Sequence, residues 1–367
     1  MSFMLISRDF WPKAASVGDG LMELTKFLSI HGKTFVTTMS DTKLKTKVTN
    51  KNIRFLVIKP LTDSGSNVLL RLIEIIYFAL WAIFALIYQR PNKVYVATNP
   101  PFFIPLLVAI YCLLFRKKFI YHVQDIHPEA TILVFKIPLF LISILKIIDT
   151  WVLNRANSVI TISKDMKNTL VSRGCRSNIT LLENPANKPN NPKSNKIKGI
   201  VFSGNAGRLQ NMHIVISAID KYLSENGTLP FMFVGGGVYS PQLSKLAAKH
   251  ESFSYVGKVN GQEALKITND YEWGLLPIKG EVLNYAFPSK LKSYLAAGCK
   301  IICCTNLNSS LVKNIDENDF GFSCSENVDA LVSAFNSIEL CDGARKNFKD
   351  CFISPKEFGK IISEICL

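Results

Sequence analysis

Residues 285–298 read YAFPSKLKSYLAAG, and the apolar run KIICC follows at 300–304. The pattern predicts a loop, a short helix that begins near Lys290, a glycine stop and a buried strand. Pro288 is pre-organised for a first helical turn, Ser289 can cap the helix, and glycine commonly ends helices. A helix start with free N–H groups beside an ammonium favours anions. The stretch therefore predicts an anion site of diphosphate size in an α/β domain.

Helical and extended patterns alternate along the whole chain. Strands are expected at 3–7, 34–38, 52–58, 93–97, 119–123, 159–162, 179–182, 199–203, 230–234, 253–256, 273–277 and 300–304. Such alternation implies parallel, doubly wound sheets. We therefore predict an α/β fold with two Rossmann-like doubly wound domains that face a cleft.

The length of 367 residues is too great for one ordinary core. The polar, proline-broken stretch at 186–196 is the best linker in the chain. We predict an N-terminal domain at 1–185, a linker at 186–198 and a C-terminal domain at 199–353. The last segment, 354–367, is predicted to form a helix that returns to the first domain.

The chain carries a formal charge of +15. A phosphorylated substrate, an anionic membrane surface, nucleic acid or a generally basic surface could each account for that excess. RNP-like aromatic motifs, zinc-finger spacings and dense basic tracts do not occur in the sequence. We therefore expect no nucleic-acid partner.

The cysteines and the N-terminal residues favour a cytoplasmic protein. The nine cysteines include no CxxC pair, which fits reduced thiols. A strand pattern begins at Phe3 with no charged and apolar leader before it, so no signal peptide is expected.

Three apolar stretches, at 68–88, 101–115 and 132–153, leave three structures open. They could span a membrane, form buried core helices or insert partly into one leaflet. A spanning helix needs roughly 20 mostly uncharged residues. Only the first stretch is near that, although it carries Arg71 and Glu74. Basic residues flank the stretches, which suits an anionic bilayer surface.

Two glycine-rich turns follow strands in the second half. The first contains Gly204, Asn205, Gly207 and Arg208, and the second is a run of three glycines at 235–237. Glycines allow a ligand close to the backbone, and arginine can bind phosphate. Ordinary tight turns between a strand and a helix would look the same. Together with the stretch at 285–298, however, they place three ligand-type loops at strand ends of one domain.

A polar group also follows a strand in the first half. Asp125, His127 and Glu129 could bind sugar hydroxyls or act as a base. The alternative is a helix start with Asp125 as its cap and Pro128 in its first turn. Both interpretations can hold together. Near the N-terminus, Gly18 opens a helix that is expected to face the same cleft.

Metal binding is not expected. Zinc spacings of His and Cys do not occur, and nowhere are two aspartates separated by one residue. The sequence therefore predicts that helix dipoles and basic side chains hold a diphosphate, with no metal or other cofactor.

The chain resembles family 4 of the retaining glycosyltransferases, which have the GT-B fold. The segments 98–101 and 125–129 resemble the Asn-Pro-Pro and Asp-x-Trp-Pro-Glu patterns of its lipid-linked polysaccharide branch, with His127 in place of Trp. The most specific matches are 203–207 and 288–290 with Ala297-Gly298. Within the branch, the chain is similar to O-antigen and capsule enzymes, including L-fucosamine transferases.

The resemblance implies a metal-independent hexosyl or deoxyhexosaminyl transferase that uses a UDP- or GDP-sugar and retains anomeric configuration. The acceptor is expected to be a sugar on polyprenyl pyrophosphate, at the inner face of the plasma membrane. The expected catalytic residues are Asp125, His127, Glu129, Arg208 and Lys290. The expected nucleotide-sugar residues are Gly18, Gly204, Asn205, Gly207, Gly235, Gly236, Val259, Pro288, Ser289, Leu291 and Ser293.

The chain departs from the family pattern at two places. Gln210-Asn211 stands where the family often has Lys-Gly, and Tyr285 and Ser293 replace the two glutamates of a Glu-x7-Glu motif. The second glutamate usually binds ribose hydroxyls in this family, so a weaker nucleoside contact is expected. Two other classes stay open: a sugar-nucleotide epimerase of the GT-B fold and a non-catalytic two-lobed binding protein.

Overall fold

A computed structural model describes the chain except residues 13–14, 41–43, 45–49, 63–67, 98–101, 134–136, 190, 341–347 and 349–350. The chain divides into two compact units. The first unit contains Met1–Pro185 and Ile353–Leu367, and the second contains Ala186–Phe352. The functional roles expected for the two domains remain predictions.

The first unit is built on a parallel sheet of seven strands in the order β3-β2-β1-β4-β5-β6-β7. Its strands are β1 Ser2–Ile6, β2 Lys33–Met39, β3 Ile53–Ile58, β4 Lys93–Ala97, β5 Lys118–Val123, β6 Ser158–Thr161 and β7 Ile179–Leu181. Its helices are α1 Ala15–His31, α2 Val68–Gln89, α3 Phe103–Leu114, α4 Glu129–Ile132, α5 Leu139–Arg155, α6 Lys164–Ser172 and, from the end of the chain, α13 Pro355–Cys366.

The second unit is built on a parallel sheet of six strands in the order β10-β9-β8-β11-β12-β13. Its strands are β8 Ile197–Ser203, β9 Phe231–Val234, β10 Phe253–Val256, β11 Tyr271–Pro277, β12 Lys300–Cys304 and β13 Gly321–Cys324. Its helices are α7 Met212–Ser224, α8 Ser240–Lys249, α9 Gly261–Thr268, α10 Lys290–Ala296, α11 Ser310–Glu317 and α12 Val328–Leu340, with a short 3₁₀ helix at Gly280–Asn284.

The predicted fold class is confirmed: both units are Rossmann-like, with helices beside parallel sheets. Most strands end within two residues of their predicted bounds, because each is an apolar run closed by polar or glycine residues. The structure also differs locally from the expectations: strand β8 takes the last two residues of the expected linker, and α11 and β13 lie where no element was expected.

The C-terminal helix belongs to the first unit because it packs closely on α1. A Cβ built on Gly20 would lie 2.5 Å from the Phe358 ring, so glycine lets the two helices approach. Phe358 has no exposed surface and joins the core under β1 and β2. Gly18 is also buried and lies inside α1, which begins at Ala15. The expectation that Gly18 opens the helix is therefore wrong.

Helices α2, α3 and α5 contain most of the three apolar stretches, and they pack side by side. In the described chain, the segment Leu69–Gln89 of α2 is long and apolar enough to cross a membrane, but only a third of its most apolar window is buried. Many large side chains of the three helices are exposed. The interpretation as fully buried core helices is therefore wrong.

Candidate functional site

Strands β8 and β11 are neighbours at the centre of the second sheet. The chain runs from β8 outward to β9 on one side and from β11 outward to β12 on the other. Ligands of open parallel sheets bind at the carboxyl ends of strands where the order reverses in this way. The loops that follow β8 and β11 carry the predicted diphosphate residues, so the topology brings them to this position.

The two glycine loops pack backbone against backbone. The N–H of Gly204 donates to the carbonyl of Val234 at 2.8 Å, and that of Ala206 donates to Gly236 at 2.9 Å. A Cβ built on Gly235 would lie 1.9 Å from the carbonyl oxygen of Gly204, and the φ angle of Gly235 is +134°. Glycine at 235 is thus required by the neighbouring loop. The expectation that it leaves room for a ring or a sugar is wrong.

Gly236 also lies under a side chain. A Cβ on this glycine would lie 3.2 Å from Cγ of Lys258, whose alkyl chain covers it. The direct approach of a ligand to this backbone would require Lys258 to move.

The ammonium of Lys290 is buried and has no hydrogen-bond partner among the described residues. It lies 3.6 Å from the ring centroid of Phe202, at the end of β8. A Cβ built on Gly204 would lie 2.5 Å from Cε of this lysine. Burial lowers the pKa of Lys290 to about 7. The structure thus brings Gly204 and Lys290 together and leaves a cation that an anion could pair with.

Tyr294 fixes helix α10 one turn after Lys290. Its hydroxyl accepts from the N–H of Ser203 at 2.9 Å and donates to the carbonyl of Leu275 at 3.2 Å. These groups belong to β8 and β11, so the hydroxyl bridges the two central strands near their carboxyl ends. Sequence analysis missed this residue. The available signal was its spacing: Tyr294 follows Lys290 by four residues, which places both side chains on the same side of a short helix.

The start of α10 differs from the prediction in two ways. Ser289 has helical backbone angles and makes no side-chain cap, so its expected capping role is wrong. The Leu291 side chain is fully buried, and its N–H donates to the carbonyl of Pro288 at 3.2 Å. Leu291 therefore offers neither its side chain nor its N–H to a ligand. Ser293 is half-buried, with its hydroxyl 3.5 Å from the carbonyl of Ser289.

The departure at Gln210-Asn211 has a backbone explanation. Asn211 has a φ of +46° and is 3% exposed. Asparagine tolerates this left-handed region better than most residues, which is where glycine is otherwise found. Its side-chain amide donates to Glu326 at 2.7 Å, and the other oxygen of Glu326 accepts from the N–H of Gly280 at 2.9 Å. Glu326 thus joins the loops that follow β8 and β11.

The remaining predicted residues of the second unit lie on loops at strand ends. Asn205 and Arg208 are exposed in the loop after β8. The N–H of Gly207 donates to the side chain of Gln210 at 3.1 Å, so this glycine does not present a free donor. Val259 is half-buried after β10. Their ligand contacts remain predictions.

Asp125 follows β5 in the first unit, but it does not cap the next helix. The residue before α4 is Pro128, and no side chain caps that helix. Burial raises the pKa of Asp125 to about 6, although the residue keeps an exposed surface. Water that reaches this exposed carboxylate stabilises its charged form. Asp125 is therefore an accessible and mostly ionised hydrogen-bond acceptor at neutral pH.

His127 is half-buried beside α4. Its Nδ1 lies 2.8 Å from the hydroxyl of Thr131, and its ring meets Phe102 edge to face. Burial, with a smaller contribution from Arg173, lowers the pKa of His127 to about 4. The imidazole is therefore neutral at neutral pH. It can orient a hydroxyl group, but it is a weak proton acceptor.

Glu129 is a structural residue rather than an accessible catalytic one. Its side chain is 4% exposed and lies 3.2 Å from Arg173 and 3.4 Å from Lys146. Arg173 also pairs with Asp149 at 2.8 Å and donates to the carbonyl of His127 at 3.1 Å. The expected contact of Glu129 with sugar hydroxyls is therefore wrong. Through Arg173, Glu129 instead supports the segment that carries His127.

One motif of the resemblance cannot be placed. The stretch 98–101, Thr-Asn-Pro-Pro, lies outside the described residues.

Comparison with known proteins supports the fold over the whole chain. No family model matches the sequence. A curated relative, the probable glycosyltransferase WbjE of Pseudomonas aeruginosa, is 27% identical over 143 residues. That match spans 38% of this chain and 35% of the relative.

Solved structures match nearly end to end at low identity. The E. coli trehalose-6-phosphate protein bound with UDP-2-fluoro glucose has a TM-score of 0.71 at 10% identity, covering 100% of this chain and 99% of its own. WaaG, a glycosyltransferase involved in lipopolysaccharide biosynthesis, has a TM-score of 0.64 at 12% identity, covering 98% and 99%. The UDP-GlcNAc 2-epimerase of Methanocaldococcus jannaschii has a TM-score of 0.56 at 11% identity, covering 99% and 98%. The chain thus has the GT-B fold, which transferases and epimerases share.

Proposed function

We propose that the protein is a glycosyltransferase that moves a hexosyl or deoxyhexosaminyl group from a UDP- or GDP-sugar to a sugar on polyprenyl pyrophosphate. The reaction retains anomeric configuration, needs no metal and serves O-antigen or capsule synthesis on the cytoplasmic face of the plasma membrane. The protein would bind the anionic surface of this membrane. Retention and family 4 membership rest on the motif resemblance. The WbjE match and the UDP-sugar bound to the E. coli neighbour support the reaction class.

One observation carries this proposal: the buried ammonium of Lys290 at the crevice of the second sheet has no hydrogen-bond partner among the described residues. A buried charge without a partner is costly, and proteins keep such groups where a function uses them. A diphosphate would supply the missing partner. The position between the loops that follow β8 and β11 is where nucleotides bind in sheets of this topology.

The chemistry follows from charge development at the leaving group. When the bond between the sugar and the phosphate breaks, negative charge grows on the nucleoside diphosphate. Lys290, assisted by Arg208, would stabilise that charge, and the low dielectric around Lys290 strengthens the interaction. The departing phosphate would take the proton of the acceptor hydroxyl. Asp125 and His127 would hold sugar hydroxyls in position by accepting hydrogen bonds.

The decisive experiment is a product assay. Purified protein is incubated with a panel of nucleotide sugars and lipid-linked acceptors, and products are identified by mass spectrometry. The proposal expects transfer to one lipid-linked acceptor that persists in EDTA and is lost in Lys290→Ala. If the donor is isomerised without any acceptor, the epimerase alternative is correct. If Lys290→Ala turns over normally, the role of this lysine is wrong.

A further inference from the structure

The largest unexplained feature of the described chain is an apolar surface on one face of the first unit. Helices α2, α3 and α5 form this surface, which we call the apolar layer. Most of the exposed large apolar side chains in the described residues belong to it. More than two thirds of the surface of Leu69, Tyr88, Leu114, Leu139, Phe140 and Ile147 is exposed. Water-soluble proteins seldom expose so large a contiguous patch unless something covers it.

The charges of the apolar layer are sorted by sign. Its two acidic residues point inward and are paired: Glu74 is 2% exposed beside Arg8, and Asp149 is 6% exposed beside Arg173. Helix α3 has no acidic residue. The outer surface of the three helices therefore combines apolar side chains with cations and shows no exposed carboxylate.

The exposed cations lie mainly at one border of the layer. Arg90 follows α2, Arg116 and Lys118 follow α3, and Arg155 ends α5. Because helices that connect parallel strands run antiparallel to them, these helix ends share the edge of the sheet where the strands begin. An apolar face with a cationic border is complementary to an anionic bilayer, whose head groups attract lysine and arginine.

Helix α2 is held to its sheet along its length. The Glu74 carboxylate accepts from Arg8 at 2.5 Å and from the N–H groups of Leu61 and Thr62 at 2.7 Å each. Although burial acts in the opposite direction, hydrogen bonds from the side chain and the N–H of Thr62, together with Arg8 and the N–H of Leu61, bring the pKa of Glu74 below its usual range. Further along, the indole of Trp81 donates to the carbonyl of Leu56 at 3.1 Å. A spanning orientation would break these bonds and expose a carboxylate to lipid.

A second copy of the chain is a poorer occupant than a bilayer. A two-fold contact through the layer would bring the same surface of both copies together. The cationic borders would then approach each other without any exposed carboxylate on these helices to balance them, and like charges across an interface are unfavourable.

We propose that the apolar layer inserts into one leaflet of an anionic bilayer, with α2 lying in the membrane plane and the cationic border at the head groups. Insertion does not depend on glycosyl transfer. If the proposed function holds, the arrangement also explains how a lipid-linked acceptor is reached. The three helices begin at the strand-end edge of the sheet that carries Asp125, so the acceptor lipid would stay in the leaflet.

Vesicle flotation tests the proposal without measuring turnover. The probes are sealed vesicles of phosphatidylcholine alone and of phosphatidylcholine with phosphatidylglycerol. Wild-type protein should float with the anionic vesicles and lose most of that binding in the double variant Leu139→Glu, Phe140→Glu. The matched control is Leu340→Glu, an apolar residue of the second unit that is 86% exposed; it should float like wild type. Flotation of the double variant at the wild-type level, or no flotation of wild type, overturns the proposal.

Two further measurements test the charge and the mode of insertion. Arg155→Glu with Lys118→Glu should reduce flotation on anionic vesicles several-fold, and unchanged flotation would contradict the role of the cations.

Lys59 and Lys118 are exposed on either side of α2 in the sequence. As single cysteine substitutions, both should react with an impermeant maleimide added outside sealed vesicles. Labelling of Lys118→Cys by maleimide enclosed in the vesicles, but not by the external reagent, would show that α2 spans the bilayer and would overturn the proposal.

Discussion

The ammonium of Lys290 lies 3.6 Å from the centre of the Phe202 ring and meets no hydrogen-bond acceptor in the described chain. The ring face gives partial compensation through a cation–π interaction. Full compensation requires an anion, which makes this pair of residues the centre of the candidate site.

Lys290→Met should lower the turnover of the nucleotide sugar by about 10²- to 10³-fold, because one preorganised charge at the leaving group is removed. Methionine matches the length and apolar stem of lysine, so the fold should be kept. Initial rates at saturating donor provide the measurement. Lys313→Met, on the exposed side of α11, is the control and should behave as wild type. Equal rates in the two variants would contradict the assignment.

The affinity for nucleotide sugar should fall as pH rises above about 7. Burial lowers the pKa of Lys290 to about 7 in the free protein, and a bound diphosphate favours the charged form. Binding at alkaline pH must therefore take up a proton, and affinity declines until the pKa of the complex is passed. Calorimetric titration with a nucleotide sugar is suitable, because its diphosphate has no ionisation near neutrality. In Lys290→Met this pH dependence should disappear.

The same lowered pKa makes the stability of the free protein depend on pH. Between about pH 7 and 10, the unfolded lysine binds a proton that the folded one does not, so the free energy of unfolding rises with pH. Lys290→Met should be more stable than wild type below this range, by up to a few kcal/mol. Urea unfolding of both proteins across the range measures the difference. A constant difference would show that the lysine titrates normally.

Tyr294→Phe should destabilise the protein by about 1–3 kcal/mol, because the buried N–H of Ser203 loses its acceptor. Since Tyr294 lies on the helix that carries Lys290, nucleotide-sugar affinity should fall as well. Tyr222→Phe is the matched control: this buried hydroxyl accepts from Leu229 at 3.2 Å and donates to Glu339 at 2.7 Å, within the same unit. Tyr222→Phe should lose stability but keep affinity. The same loss of affinity in both variants would indicate a purely structural role for Tyr294.

Gly235→Ala should destabilise the protein by about 3 kcal/mol or more, since its Cβ would overlap the carbonyl oxygen of Gly204. Relief of that overlap moves the loop beside Lys290, so affinity for nucleotide sugar should also fall. Gly257→Ala is a stringent control, because nothing lies within 4 Å of its Cβ. Urea unfolding measures the loss of stability in the two variants. Equal midpoints would contradict the close packing of the two glycine loops.

Glu129→Gln should act on stability rather than on chemistry. It leaves Arg173 and Lys146 without part of their balancing charge, and removal of one partner from a buried ion pair costs about 3–5 kcal/mol. Asp125→Asn should show the opposite pattern, with near-normal stability and a reduced turnover. Thermal unfolding and initial rates of both variants separate the two roles, with the exposed Glu251→Gln as a control. Loss of turnover without loss of stability in Glu129→Gln would restore its catalytic assignment.

The strands could be predicted because each is a local pattern, an apolar run closed by a polar residue or a glycine. A helix start is also local where a side chain caps it, as Ser163 does by accepting from the N–H of Met166. Ser289 shows where local patterns mislead. The Pro-Ser-Lys sequence is typical of a capped start, but the packing of α10 places Ser289 in helical geometry, where its hydroxyl does not accept the cap bond.

Sequence alone determined that two parallel α/β units would form and that glycines, a lysine and polar groups would collect at strand ends, because hydrophobic periodicity and turn residues act over a few neighbours. Only the tertiary structure decided which of these groups are available to a ligand. Glu129 is neutralised by Arg173 from 44 positions further along the chain, while the buried ammonium of Lys290 has no hydrogen-bond partner in the part of the chain that the structure describes. It also decided that the apolar helices expose one face, because burial depends on what packs against a helix and not on its hydropathy.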